Sequence, residues 1–207
     1  MNYKTEQEAF WAGEFGSEYI ERNVGDVLLG ANLDFFAKAL RRASGIDSCI
    51  EFGANVGMNL RALQLLHPRQ QHFGIEINEA AAAQLSQHIS PEHIFQQSIL
   101  DFKPQRLFDL VLIKTVLIHI NPEFLPVVYD AMYRSTRRYI LLAEYYSPTP
   151  VEITYRGHAS RLFKRDFAGE MLATYPDLKL LDYGFSYRND PVFPQDDINW
   201  FLMEKRS

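Results

Sequence analysis

The chain has 207 residues, 47% of them hydrophobic and 23% charged, the balance of an ordinary soluble globular protein. That excludes a disordered tail, a coiled coil and a collagen-like chain, and the length fits one domain. Lys and Arg total 21 against 26 Asp and Glu, and the net charge of −5 argues against a protein built to grip phosphate backbones.

The opening MNYKTEQEAF is polar and lacks the apolar stretch of a secretory signal. No apolar run approaches the roughly 20 residues of a bilayer span. The one cysteine, Cys49, can form no internal disulfide. The expectation is a soluble cytoplasmic protein with no membrane or nucleic-acid partner, monomer and homodimer both remaining open.

In chain order, an aromatic segment (FWAGEFGSEYIERN) and a helical stretch from about Asp26 to Ala43 form an expected N-terminal helical cap, residues 1–45. Residues 46–144 alternate short apolar runs with amphipathic stretches. Ser48–Phe52 reads as a strand and Met58–Leu66 as a helix. His72–Ile77 is a second strand, alanine-rich Glu79–His88 a second helix, and His93–Ser98 a third strand. Phe108–Ile113 (FDLVLI) has the unbroken apolar run of a strand buried on both faces. Asn121-Pro122-Glu123 reads as a helix start, with an Asn cap, Pro in the first turn and an acid near the dipole. Arg138–Glu144 is a fifth strand. Then come a long connection, Tyr145–Lys164, a short helix near Arg165–Thr174, and two strands, Leu178–Tyr187 and Ile198–Glu204, expected to pair antiparallel. The predicted fold class is α/β, a Rossmann-like doubly wound, mostly parallel sheet with a C-terminal antiparallel strand pair, in a single domain over 1–207.

The strongest chemical signal is Glu51-Phe52-Gly53-Ala54-Asn55-Val56-Gly57, where the first strand turns into a helix. Glycines there allow a sharp turn and close approach of a ligand to the backbone, and Asn55 tolerates positive φ. A plain strand-to-helix turn would need no more. Glu76, however, ends the second strand 19 residues after Gly57, where an acid accepts hydrogen bonds from ribose hydroxyls. Together they favour an adenosine-bearing cofactor. A dinucleotide loop wants glycine at positions held by Asn55 and Met58, and no GxxxxGK[ST] loop is present, whereas S-adenosylmethionine has no phosphate to cradle.

The EFGANVG loop, GIE ending at Glu76 and QQSILDF after the third strand together resemble the class I S-adenosylmethionine-dependent methyltransferases. Over nearly the full length, FWAGEFGSEYIERN, FGANVGMNLRAL, VLIHINPE, EYYSPTPVEITYRGHASRLFKRDFAGE and INWFLMEK are similar to the pseudaminic acid biosynthesis-associated methylases. The resemblance implies that Gly53, Asn55 and Gly57 face the methionine part of S-adenosyl-L-methionine and that Glu76 holds the ribose. It also implies that Ile77 packs on the adenine, with Ser98 and Ile99 near its amino group. Ser98 stands where the class usually has an acidic or polar residue, and with Ser98 rather than Asp adenine recognition is expected to rely on main chain. Lys114 lies at the mouth of the site, or simply extends from a strand end.

A sulfonium cation is attracted to aromatic faces, so Trp11, Phe15 and Tyr19 are candidates for a lid, with Arg22 reaching the cofactor carboxylate. Substrate contacts are expected from the segment after the fifth strand: Tyr145, Tyr146, Tyr155, Arg156, His158 and Arg161. Lys164 and Arg165 add positive charge there, opposed only by Glu152 and Asp166. In an acidic chain this points to an anionic small-molecule acceptor, such as a nonulosonic sugar acid or a nucleotide-linked sugar. A hydroxyl acceptor needs a base, for which His119, His158 and Glu144 are the candidates, whereas an amine needs only to be unprotonated. No Cys/His spacing suits zinc, so no metal is expected. A peptide or other natural-product acceptor, an NAD-dependent oxidoreductase and a non-catalytic cofactor-binding module are the competing readings.

Overall fold

The computed structural model describes residues 3–20 and 25–206, with His158 and Ala159 as backbone only. Five parallel strands carry the core: β1 (Ser48–Phe52), β2 (Gln71–Glu76), β3 (Ile94–Gln96), β4 (Phe108–Lys114) and β5 (Thr136–Glu144). In β4 every residue from Phe108 to Ile113 is buried. Leu110 and Leu112 pack on one face of the sheet and Val111 and Ile113 on the other, so the run has no polar side to alternate with.

The first face is covered by α3 (Asp26–Ala39), α4 (Met58–Leu66) and α5 (Glu79–Leu85), through Phe35, Leu60 and Leu85 among others. The second face is covered by α6 (Leu125–Ser135) and α7 (Phe167–Thr174), through Met132 and Met171. At the far edge, β8 (Leu178–Ser186) and β9 (Ile198–Lys205) pair antiparallel, and β9 inserts between β8 and β5. The sheet order is therefore β3-β2-β1-β4-β5-β9-β8. The direction of winding reverses between β1 and β4, which opens a crevice at their carboxyl ends.

Two short helices, α1 (Glu6–Ala12) and α2 (Glu14–Tyr19), lie before α3. Thr5 and Glu8 form a reciprocal capping box at the start of α1.

Several expectations change. Residues 145–164 are not a long connection, because β6 (Val151–Tyr155) and β7 (His158–Lys164) form a separate antiparallel hairpin. Its two-residue turn, Arg156-Gly157, has positive φ at both positions (49° and 86°), as hairpin turns of this kind require. The helix expected to run to Ala43 stops at Ala39, α5 stops at Leu85, and the third strand contracts to Ile94–Gln96. Asn121 does accept from the Glu123 N–H at 3.1 Å, but it caps a single 3-10 turn, Pro122–Phe124. An α-helix from Pro122 would need an N–H on Pro126 to reach the Pro122 carbonyl, and proline has none, so α6 starts at Leu125.

Candidate functional site

The glycine loop forms the floor of a cavity at the carboxyl ends of β1, β2 and β4. Gly53 (φ +76°) lies so close to Val116 that a Cβ would stand 2.7 Å from its Cγ2. Asn55 adopts φ +48°. Glu76, buried at the end of β2, clamps this loop: one carboxyl oxygen accepts the Asn55 N–H at 2.7 Å and the other accepts the Asn78 N–H at 2.8 Å. Burial raises the Glu76 pKa above its usual value, and these backbone donors pull it back toward the ionised form. The cavity holds about 1220 Å³ of empty space including its open mouth.

One end of the cavity is lined by Ile77, Ile99, Ser98 and Glu8. The Ser98 hydroxyl donates to the Glu8 carboxylate. The other Glu8 oxygen accepts the backbone N–H groups of Lys4 and of Thr5, the latter at 3.1 Å.

The opposite end is ionic. Lys114, at the end of β4, donates to the amide oxygens of Asn32 (3.2 Å) and Asn59 (3.4 Å). Asn59 in turn donates to Glu51 Oε1 at 2.6 Å, while Glu51 Oε2 is buried with no partner. Desolvation acts on both charges, pushing Glu51 up to about 8 and Lys114 down to about 8. Beside them Thr115 holds φ +56°, a strained conformation at the cavity wall.

The roof comes from α1 and α2. Trp11 stands edge-on to Tyr19, with ring centroids 5.3 Å apart, and both rings face the cavity. Asn78 fastens this roof to the core. It caps α5 with its oxygen (Ala81 N–H, 3.0 Å), while its amide nitrogen donates to the Trp11 carbonyl at 3.2 Å and to Ser17 Oγ at 3.1 Å. The β6–β7 hairpin braces the outer side of α1, where Gln7 donates to the Ser160 carbonyl at 2.9 Å and Arg161 pairs with Glu6 at 3.1 Å.

His119 lies against Trp11, with ring centroids 4.6 Å apart, and lines the cavity. Its Nδ1 is 2.6 Å from the Arg161 carbonyl oxygen, which only accepts, so Nδ1 carries the proton and Nε2 the lone pair. Desolvation lowers the His119 pKa to about 4, so the ring is neutral at ordinary pH.

The structure therefore gathers Trp11, Tyr19, Gly53, Asn55 and Glu76 around one cavity, together with Ile77, Ser98, Ile99, Lys114 and His119. It leaves others off the wall. Gly57 (φ +84°) faces Leu85, where a Cβ would stand 2.5 Å away, and shapes the turn from outside. Glu144 is turned toward backbone: its Oε1 accepts the Val116 and Leu117 N–H groups, both at 2.9 Å, and anchors the loop after β4. Tyr145 lies 5.1 Å from the Lys164 ammonium, and Tyr146 is exposed beside Phe201. Tyr155 is next to His119 at 5.0 Å but behind the wall.

The basic segment is also less free than its sequence suggested, because Arg161 is taken by Glu6 and Arg165 by Glu170 at 2.6 Å. Arg156 stays exposed at the hairpin tip. Arg22 and the His158 side chain fall outside the described residues. Glu8, Asn32, Asn59, Asn78 and Thr115 are wall residues that sequence reasoning missed. Among the described residues, no group of three His, Cys, Asp or Glu side chains is disposed to hold a metal, and no helix is long and apolar enough to cross a membrane.

Solved structures share this architecture. The chain is similar to magnesium protoporphyrin IX methyltransferase from Synechocystis with bound S-adenosylmethionine, at a TM-score of 0.70 and 14% identity over 100% of both chains. It is similar to the 1,6-didemethyltoxoflavin-N1-methyltransferase of Burkholderia thailandensis, bound to S-adenosylhomocysteine, at a TM-score of 0.75 and 12% identity over 100% of this chain and 92% of that one. A plantazolicin methyltransferase, bound to an analogue and S-adenosylhomocysteine, gives a TM-score of 0.65 at 12% identity over 93% and 90% of the two chains. The chain has the Rossmann-like fold of the S-adenosylmethionine-dependent methyltransferases. No protein-family model and no curated protein matches the sequence.

Proposed function

We propose that this chain is an S-adenosylmethionine-dependent methyltransferase acting on a small acceptor held beneath the α1–α2 roof. The observation that carries the proposal is Glu76, fixed by two backbone N–H groups between the glycine loop and the Ile77–Ile99 slot, with acceptor capacity left for a ribose diol. The rest of the cavity suits the same molecule. Ile77 and Ile99 offer apolar surface for a purine. Lys114 matches a carboxylate at the amino-acid end.

When bound, the cofactor supplies a methyl group on a sulfonium, which is already electrophilic. The protein's work is alignment and proton removal. Trp11 and Tyr19 add aromatic surface to the cavity wall, which favours a cation there. For a hydroxyl acceptor, Nε2 of His119 takes the proton, while the Arg161 carbonyl holds the ring in the tautomer that leaves Nε2 free to accept. Trp11 packs against the His119 ring.

Within this reading we favour an acidic sugar of the nonulosonic type as acceptor. The similarity to the pseudaminic acid-associated methylases supports it, as do Arg156 and Lys164, which pair with no carboxylate among the described residues. The test is transfer of labelled methyl from S-adenosylmethionine to nonulosonic acids, to matched neutral sugars and to a plain peptide mixture. Label appearing in the acids, and lost in Arg156→Ala, supports the acceptor class. Label in neutral sugars or peptide alone overturns the acceptor and leaves the methyltransferase standing.

A further inference from the structure

Resting on the cofactor reading above, we infer that Glu8, carried on the roof helix α1, is the residue that recognises the exocyclic amine of the adenine. The exocyclic amine of a purine is a pure donor, so a slot that selects it must place an acceptor at its end. Sequence reasoning left that end without an acid, because the sheet contributes only Ser98.

The structure supplies one from 90 positions away. Glu8 is buried, lines the cavity, and receives the Ser98 hydroxyl on one carboxyl oxygen. Its position is fixed independently of any ligand: the second oxygen is held by the Lys4 and Thr5 N–H groups of the capping box, and Thr5 Oγ1 accepts the Glu8 N–H at 3.1 Å. The carboxylate therefore has one oxygen occupied by its own helix and one shared between Ser98 and the cavity. Gln97 and Ile99 flank it, and no cationic side chain among the described residues lines that end. The residue that caps α1 thus also closes the purine slot. Recognition of the amine and seating of the roof become one event, because Glu8 reaches the slot only while α1 is held by Asn78 and by the hairpin.

The expected selectivity follows from charge. An amine donating to a carboxylate makes a charge-assisted hydrogen bond, whereas the deaminated purine turns a carbonyl oxygen toward the same carboxylate. Loss of such a bond at a buried acceptor corresponds to about 10- to 100-fold in affinity.

The test is calorimetric titration of the wild-type chain and Glu8→Gln with S-adenosylhomocysteine and with its deaminated analogue, S-inosylhomocysteine. Glutamine at this position still completes a capping box, so the helix start is retained, and thermal unfolding checks that it is. Wild type should prefer the adenosyl compound by at least about tenfold, and Glu8→Gln should bring the preference below about threefold, because its amide offers both donor and acceptor. Hydrogen exchange gives a second readout: the adenosyl compound should protect the α1 amides in wild type more than the inosyl compound does. Preference unchanged in a folded Glu8→Gln overturns the assignment while leaving the cofactor reading intact. No binding of S-adenosylhomocysteine to wild type removes both. If Glu8→Gln unfolds, Ser98→Ala serves instead. Freed of its Ser98 hydroxyl, Glu8 should keep or sharpen the preference, and its loss there would refute the role of Glu8.

Discussion

Replacing Glu144 by Gln separates a structural carboxyl from a catalytic one. In the fold Oε1 takes two backbone N–H groups from the loop after β4, while Oε2 is buried without a partner. An amide fills the same space, and its carbonyl accepts the same two bonds. Burial pushes the Glu144 pKa from 4.5 to about 8, the backbone donors opposing it. A carboxyl raised in the folded state contributes stability that is complete below the unfolded value of 4.5 and is lost as pH rises through about 8. At about 1.4 kcal/mol for each pH unit between the two values, the loss is on the order of 5 kcal/mol as an upper bound. Glu144→Gln removes that slope. Its stability relative to wild type should therefore grow between pH 5 and pH 9, appearing as a melting temperature at least about 5 °C higher at the alkaline end. Methyl transfer should stay within about threefold of wild type. A melting difference that does not change with pH would refute the burial argument. Loss of transfer by two orders of magnitude in a folded variant would restore Glu144 as a base.

Other residues give equally direct readings. Lys114→Met should weaken S-adenosylhomocysteine binding about 10- to 100-fold while leaving 5′-methylthioadenosine, which lacks the amino-acid end, within threefold; equal effects on both ligands would move Lys114 away from the carboxylate. Because Lys114 loses its proton near pH 8, wild-type affinity for S-adenosylhomocysteine should also fall as pH rises past that value. His119→Gln should lower kcat for a hydroxyl acceptor by about 10²–10⁴ with cofactor affinity unchanged. The depressed His119 pKa makes its contribution to stability present above 6.5 and lost as pH falls toward 4, so the variant should unfold less readily in acid than wild type; an identical acid limb would contradict this. In Gly16→Ala the new Cβ would stand 1.8 Å from the Trp11 carbonyl oxygen, so α2 must move off α1. Proteolysis of the roof should quicken and ligand affinity should drop, and an unaltered digestion pattern would show that the roof does not depend on this contact.

What the sequence made legible was local. The turn Gly53–Gly57 and the acid at Glu76 belong to one short strand–helix–strand unit, so spacing alone located them. FDLVLI declared a strand buried on both faces because no polar alternation interrupts it. The β6–β7 hairpin was hidden because β6 is only partly covered, which blurs its in-and-out pattern, and because Arg-Gly replaces the usual Asn-Gly in the turn. The polar residues of the wall were illegible for a different reason. Asn78 meets Trp11 across 67 positions and Glu8 meets Ser98 across 90, so their roles exist only once α1 is folded over the sheet. The partner of Arg161 was hidden in the same way, since Glu6 lies far away in sequence.

The central claim is that the Glu76 cavity binds an adenosyl amino acid, and parallel calorimetric titration of the chain with S-adenosylhomocysteine and NAD tests it most directly. Micromolar binding of S-adenosylhomocysteine with no heat from NAD is the expected result. Binding of NAD alone, or of neither, would contradict it.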